Sequence, residues 1–108
     1  MKLLQVLSMA IVLLLLLQAE TPLRVVTLRV TKHCPGCRLK GVRIREADLS
    51  GADLRNADLR WAKLESVNLN HANLQGANLR NARLYNVTTQ DTDFCGAILM
   101  DAVKGYCD

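Results

Sequence analysis

ADLSG (47–51), ADLRN (52–56), ADLRW (57–61), AKLES (62–66), VNLNH (67–71), ANLQG (72–76), ANLRN (77–81) and ARLYN (82–86) follow one another without a gap. Each segment opens on Ala or Val, continues with Asp, Asn, Lys or Arg, and centres on Leu. Upstream, CRLKG (37–41) and VRIRE (42–46) keep the frame. Downstream, VTTQD (87–91), TDFCG (92–96) and AILMD (97–101) keep it more loosely. Along this run the central residue is apolar everywhere except Thr89.

A period of five suits neither common element. In a strand, alternate residues share a face, so successive leucines would fall on opposite sides. In an α-helix each step of five lands about 140° past a full turn, so no apolar stripe forms. The chain must instead turn once per segment and coil into a solenoid. Aromatic residues are few: Trp61, Tyr85, Phe94 and Tyr106. A core of interlocking large side chains is therefore absent, and stability has to come from many small repeated contacts.

Small residue, Asp or Asn, Leu, then two variable residues: this pattern resembles the pentapeptide-repeat family. The resemblance covers residues 37–101. It implies an all-β solenoid, a right-handed four-sided (quadrilateral) β-helix of pentapeptide repeats with one segment per side. The small residue and the Leu then point inward. Secreted or lumenal cyanobacterial members show a similar layout, with Cys-x-x-Cys before the repeats. Since one coil buries too little to offset its own ordering entropy, stability belongs to the stack.

The flanks divide the rest of the chain. Lys2 followed by the apolar run Leu3–Leu17 reads as a signal peptide over residues 1–19, cut after Ala19, with an uncleaved N-terminal anchor as the alternative. The run is shorter than the roughly 20 residues that span a bilayer. Residues 20–36 form an N-terminal cap. Thr21-Pro22 suits a helix start, and a short helix over 22–31 would place Leu23, Val26 and Val30 on one face. The β-branched residues there leave a strand open. Residues 102–108 form a C-terminal cap, with Leu99, Met100, Val103 and Tyr106 as its apolar residues.

Export and four cysteines favour disulfides. On the solenoid, Cys34 and Cys37 sit at one end and Cys95 and Cys107 at the other, so the pairings Cys34–Cys37 and Cys95–Cys107 are expected. A thiol-redox role for Cys34-Pro35-Gly36-Cys37 remains open but lacks the α/β context such sites use. Cys37, at an inward position, could also be a buried reduced thiol. A shared zinc site would need ligands from both ends, so no metal is expected.

The net charge is +4, or +3 without Lys2, too little to argue nucleic-acid binding. At twenty residues per coil, however, Arg43, Lys63 and Arg83 stack in one column and Lys40, Arg60 and Arg80 in another. The remaining sides carry Asp48, Asp53, Asp91 and Asp93 among neutral residues. Those two basic columns are the candidate binding face, for an unknown protein or an anionic surface. The histidines are His33 and His71, and neither has an acid or nucleophile identifiable from sequence. No catalytic residues, no cofactor and no enzyme activity are expected. The chain reads as an exported scaffold or protein-interaction module of the periplasm, thylakoid lumen or extracellular space. The alternative is a protein held at a membrane by an uncleaved N-terminus, with its basic face toward lipid.

Overall fold

The computed structural model describes residues 23–101 and 104–107. The expectations for the export segment 1–19, for the Thr21-Pro22 helix start and for Val103 lie outside these residues.

Every fifth residue from Gly36 to Gly96 has a positive φ. At most of these points the central residue's carbonyl accepts a bond from the N–H three positions on: Ala52 to Leu49 at 3.1 Å, Ala72 to Leu69 at 3.0 Å, Ala77 to Leu74 at 3.0 Å. Each is a four-residue turn whose third residue is left-handed. Gly, Asn and Asp enter that region at least cost, which accounts for Gly51, Asn56, Asn81 and Asp91 at the corners.

The coil closes after twenty residues. Strands β1 (Arg43–Asp48), β2 (Lys63–Asn68) and β3 (Arg83–Tyr85) form one parallel sheet in the order β1-β2-β3. Arg43 pairs with Lys63 and Lys63 with Arg83; Ile44 pairs with Leu64 and Leu64 with Leu84. Elsewhere the coils meet through single parallel bridges. His33, Asp53, Asn73 and Asp93 form one column of these, and Arg38, Asp58, Asn78 and Ile98 another. The repeat region is therefore a β-helix.

Its regular strands lie along one ladder rather than on every side. The reason is the residue before each central position. Where it is Asp or Asn, the side-chain oxygen accepts a bond from the backbone N–H two residues on. Ser50 donates to Asp48 at 3.0 Å, Gln75 to Asn73 at 3.0 Å, Arg80 to Asn78 at 3.1 Å and Cys95 to Asp93 at 2.9 Å. This local bond competes with extended pairing. In the column Arg43, Lys63 and Arg83 no coil offers such an acceptor, and from there the chain runs on as strand to Asp48 and Asn68, whose own local bonds turn it.

Inside, Leu39, Leu59 and Leu79 stack with at most 1% exposure, beside buried Ala52, Ala57, Ala62, Ala72 and Ala77. In the last coil Leu84, Val87, Phe94 and Leu99 are only partly covered, and Thr89 faces solvent. Helix α1 (Leu23–Thr31) lies against the first coil. It buries Val25 and Leu28, not the expected Leu23, Val26 and Val30, which are all exposed. Both stripes satisfy helical spacing. The burial of Val25 and Leu28 goes with Arg24 donating to the Arg38 carbonyl at 2.6 Å and Arg29 to the Arg45 carbonyl at 2.8 Å. These arginines occupy acceptors on the edge of the first coil, which among the described residues pairs with no earlier coil.

Disulfides join Cys34 to Cys37 and Cys95 to Cys107, with Cα separations of 5.3 and 4.5 Å. At the far end the chain doubles back. Lys104 bridges Ile98 antiparallel, Gly105 donates to the Ala97 carbonyl at 2.8 Å, and Gly96 donates to the Gly105 carbonyl at 3.3 Å. The expected apolar cap takes another form here. Tyr106 is 91% exposed and Met100 is also exposed, so backbone pairing and Cys95–Cys107 hold this segment.

Candidate functional site

Both basic columns exist in the fold. The β1–β2–β3 register places Arg43, Lys63 and Arg83 one per coil on a common ladder. The second column follows from the neighbouring bridges Arg38–Asp58–Asn78, with Gly41 donating to the Arg60 carbonyl at 2.8 Å and Trp61 to the Arg80 carbonyl at 3.1 Å. Lys40, Arg80, Arg43, Lys63 and Arg83 are exposed; Arg60 is half-buried. Like charges one rung apart, about 4.8 Å, repel by roughly 1 kcal/mol per pair at the dielectric of water. The repeat spacing thus concentrates positive potential that the net charge does not reveal.

Acidic residues temper it unevenly. Arg60 forms two bonds to Asp58, from Nε at 2.8 Å and Nη2 at 2.7 Å. Arg45 and Arg43 both face Glu65, at 2.8 and 3.6 Å. Arg60, a member of the candidate binding face, is therefore engaged within its own segment. On a different column Arg55 grips Asp53 in the same two-bonded way.

These pairs set the acid response. The Arg60 guanidinium holds the Asp58 carboxyl down from 3.8 to about 2, and Arg55 does the same for Asp53. Hydrogen bonds from Ser50 and Gln75 lower Asp48 and Asp93. A carboxylate with a depressed folded pKa stabilises above its unfolded value and loses that contribution as pH falls through the folded one. The melting temperature is expected to be insensitive to these groups from pH 7 to about 5. It should then fall between roughly pH 4 and pH 2. The double variant D53N/D58N should flatten that fall in a calorimetric pH series. Since the pairs are only partly buried, solvent screening keeps the effect modest.

The histidines acquire partners that sequence reading did not identify. His71 Nδ1 lies 3.7 Å from Asp91, one coil on, and His33 Nδ1 lies 3.5 Å from Asp53. Both are stacking pairs between corresponding positions of adjacent coils, and both imidazoles are largely exposed. Among the described residues, no group of three or more His, Cys, Asp or Glu could hold a metal ion.

Sequence reading missed Trp61. It occupies the corner between the two basic columns, with φ of 62° and 59% exposure. The signal was present: most corners hold Gly, Asn, Asp or Ser, and this one holds the only tryptophan of the chain. Farther along the ladder, exposed Tyr85 joins Arg43, Lys63, Glu65 and Arg83 around a shallow groove of about 200 Å³.

A family model described as pentapeptide repeats matches residues 33–70 and 62–101, with eight copies. A search of curated proteins gives no match. Among solved structures, the chain is similar to HetL, a pentapeptide repeat protein involved in heterocyst differentiation regulation from the cyanobacterium Nostoc sp. strain PCC 7120. Identity is 27% over 63% of this chain and 36% of that one, with a TM-score of 0.27, so the match spans about a third of HetL. It is also similar to the pentapeptide repeat protein Rfr23 from the cyanobacterium Cyanothece 51142, at 19% identity over 65% of this chain and 92% of that one, with a TM-score of 0.23.

Proposed function

Because this chain belongs to the pentapeptide repeat family, we propose that it is a non-catalytic scaffold, a right-handed four-sided β-helix capped at its first coil by α1, that holds an anionic partner on its basic columns. The observation that carries this reading is the placement of Arg43, Lys63 and Arg83 on one ladder beside Lys40, Arg60 and Arg80. A fold that only needed solubility would gain from alternating signs along such a ladder. Rows of one sign cost stability unless a partner screens them. The scaffold is exported: Lys2 and Leu3–Leu17 have the character of an export signal, and the two disulfides suit an oxidising compartment.

Calorimetric titration with poly-L-glutamate at low salt tests the face. The wild-type chain should bind in a salt-sensitive way. R43Q/K63Q/R83Q should weaken binding about tenfold or more and raise the melting temperature, since it removes both attraction and self-repulsion. Equal binding by the two proteins would reject the basic columns as a binding face. Mass spectrometry of the secreted protein should find Glu20 as the first residue; a retained Met1 would make the chain membrane-tethered.

A further inference from the structure

Trp61 is placed where folding alone would not put it. A bulky side chain in the left-handed region is disfavoured by its Cβ, and this indole makes no contribution to the buried core. Neighbouring coils present Gly41 and Asn81 at the same corner, so no large side chain stands over the ring from either. Immediately before the corner runs the column Lys40, Arg60 and Arg80. Two residues after it runs the column Arg43, Lys63 and Arg83. The result is an aromatic tip on an outward corner with positive charge on both shoulders.

An outward corner cannot enclose a peptide as a groove does. It can be pressed into a soft boundary. Indole rings favour the headgroup zone of a bilayer, where their apolar body and N–H are both accommodated. Lys and Arg near an anionic leaflet are drawn toward its surface potential. Interfacial binding draws on buried apolar area together with attraction to anionic lipid, and the indole and its flanking cations supply one of each. We propose that the Trp61 corner seats on the surface of an anionic lipid bilayer, with the indole in the headgroup layer and the two basic columns on the lipid phosphates. This rests on the basic columns being the binding face and identifies what they bind.

The lone tryptophan reports on its own seating. The full chain is mixed with vesicles of phosphatidylglycerol and phosphatidylcholine, or of phosphatidylcholine alone, with brominated acyl chains as quencher. Trp61 emission should shift to the blue and be quenched with the anionic vesicles only, and half-molar salt should reverse both changes. R43Q/K63Q/R83Q should need at least tenfold more anionic lipid for the same shift. W61N, which installs the residue found at corners 56, 81 and 86, should keep the fold. It should lower severalfold the ratio of anionic to neutral vesicle binding by sedimentation, a ratio that cancels any contribution of Leu3–Leu17.

Equal quenching in neutral vesicles would overturn the proposal, since Leu3–Leu17 would then suffice. Unchanged emission with anionic vesicles, while poly-L-glutamate still binds through the columns, would also overturn it and make the partner an acidic protein segment. Failure to bind either probe would remove the basic-face reading as well.

Discussion

Leu69→Asp should unfold the whole repeat region, while Asn70→Asp, one residue away, should leave its melting temperature nearly unchanged. Leu69 has no exposed surface, and its N–H donates to the Thr88 carbonyl in the next coil at 2.8 Å. A carboxylate there loses its hydration without gaining a partner, a cost of about 4 kcal/mol or more. Small domains hold only about 5–15 kcal/mol in total. Each coil is stable only through its neighbours, so the loss spreads along the stack. Asn70 points outward, and its Oδ1 accepts the Gln90 N–H at 2.8 Å. An aspartate oxygen accepts the same bond, and the change should stay within about 0.5 kcal/mol. Urea unfolding followed by circular dichroism measures both; equal midpoints would contradict the inward placement of Leu69 and the leucines stacked with it.

Gly105→Ala is the second large effect, and it is local. A Cβ at Gly105 would run into the Phe94 carbonyl, a backbone atom that has no rotamer to escape with. The bonds from Gly105 to Ala97 and from Gly96 to Gly105 would break, and Cys95–Cys107 would keep the freed segment tethered. We expect a loss of about 2 kcal/mol or more, typical of overpacking against an unyielding neighbour. Hydrogen exchange should accelerate at Gly96 and Gly105 but not at Leu54, whose bond to Asn73 lies far from that end. Gly51→Ala is the control. Nothing lies within 4 Å of its added Cβ, so it pays only for the left-handed backbone, about 1 kcal/mol. If Gly105→Ala costs no more than Gly51→Ala, the returning segment contributes little to stability.

Much of the architecture was legible because a five-residue period admits few solutions. The alignment of residues twenty apart follows from it by counting, and with it the columns Arg43/Lys63/Arg83 and Lys40/Arg60/Arg80. The separation of Cys34 and Cys37 from Cys95 and Cys107 follows as well. Helix α1 was expected nearly over its full length, yet its buried face was not. Apolar residues at 23, 25, 26, 28 and 30 supply two competing stripes, and periodicity cannot choose between them. Trp61 is harder to read for a different reason: the repeat pattern treats its fifth position as variable, so its departure from the Gly, Asn, Asp and Ser of the other corners gains weight only with the left-handed φ there.

The sequence alone determined what repeats: the period, the inward and outward positions, and the vertical order of charge along the stack. These are properties of spacing, and spacing is written in the chain. The tertiary structure decided what happens where the repetition stops or is locally answered. It chose Val25 and Leu28 against the first coil, set Arg43 and Arg45 on Glu65 of the next coil, turned residues 104–107 back on the last coil, and left Trp61 standing between two basic columns. Each of these depends on which atoms meet across space, and contacts that occur once leave no period to read.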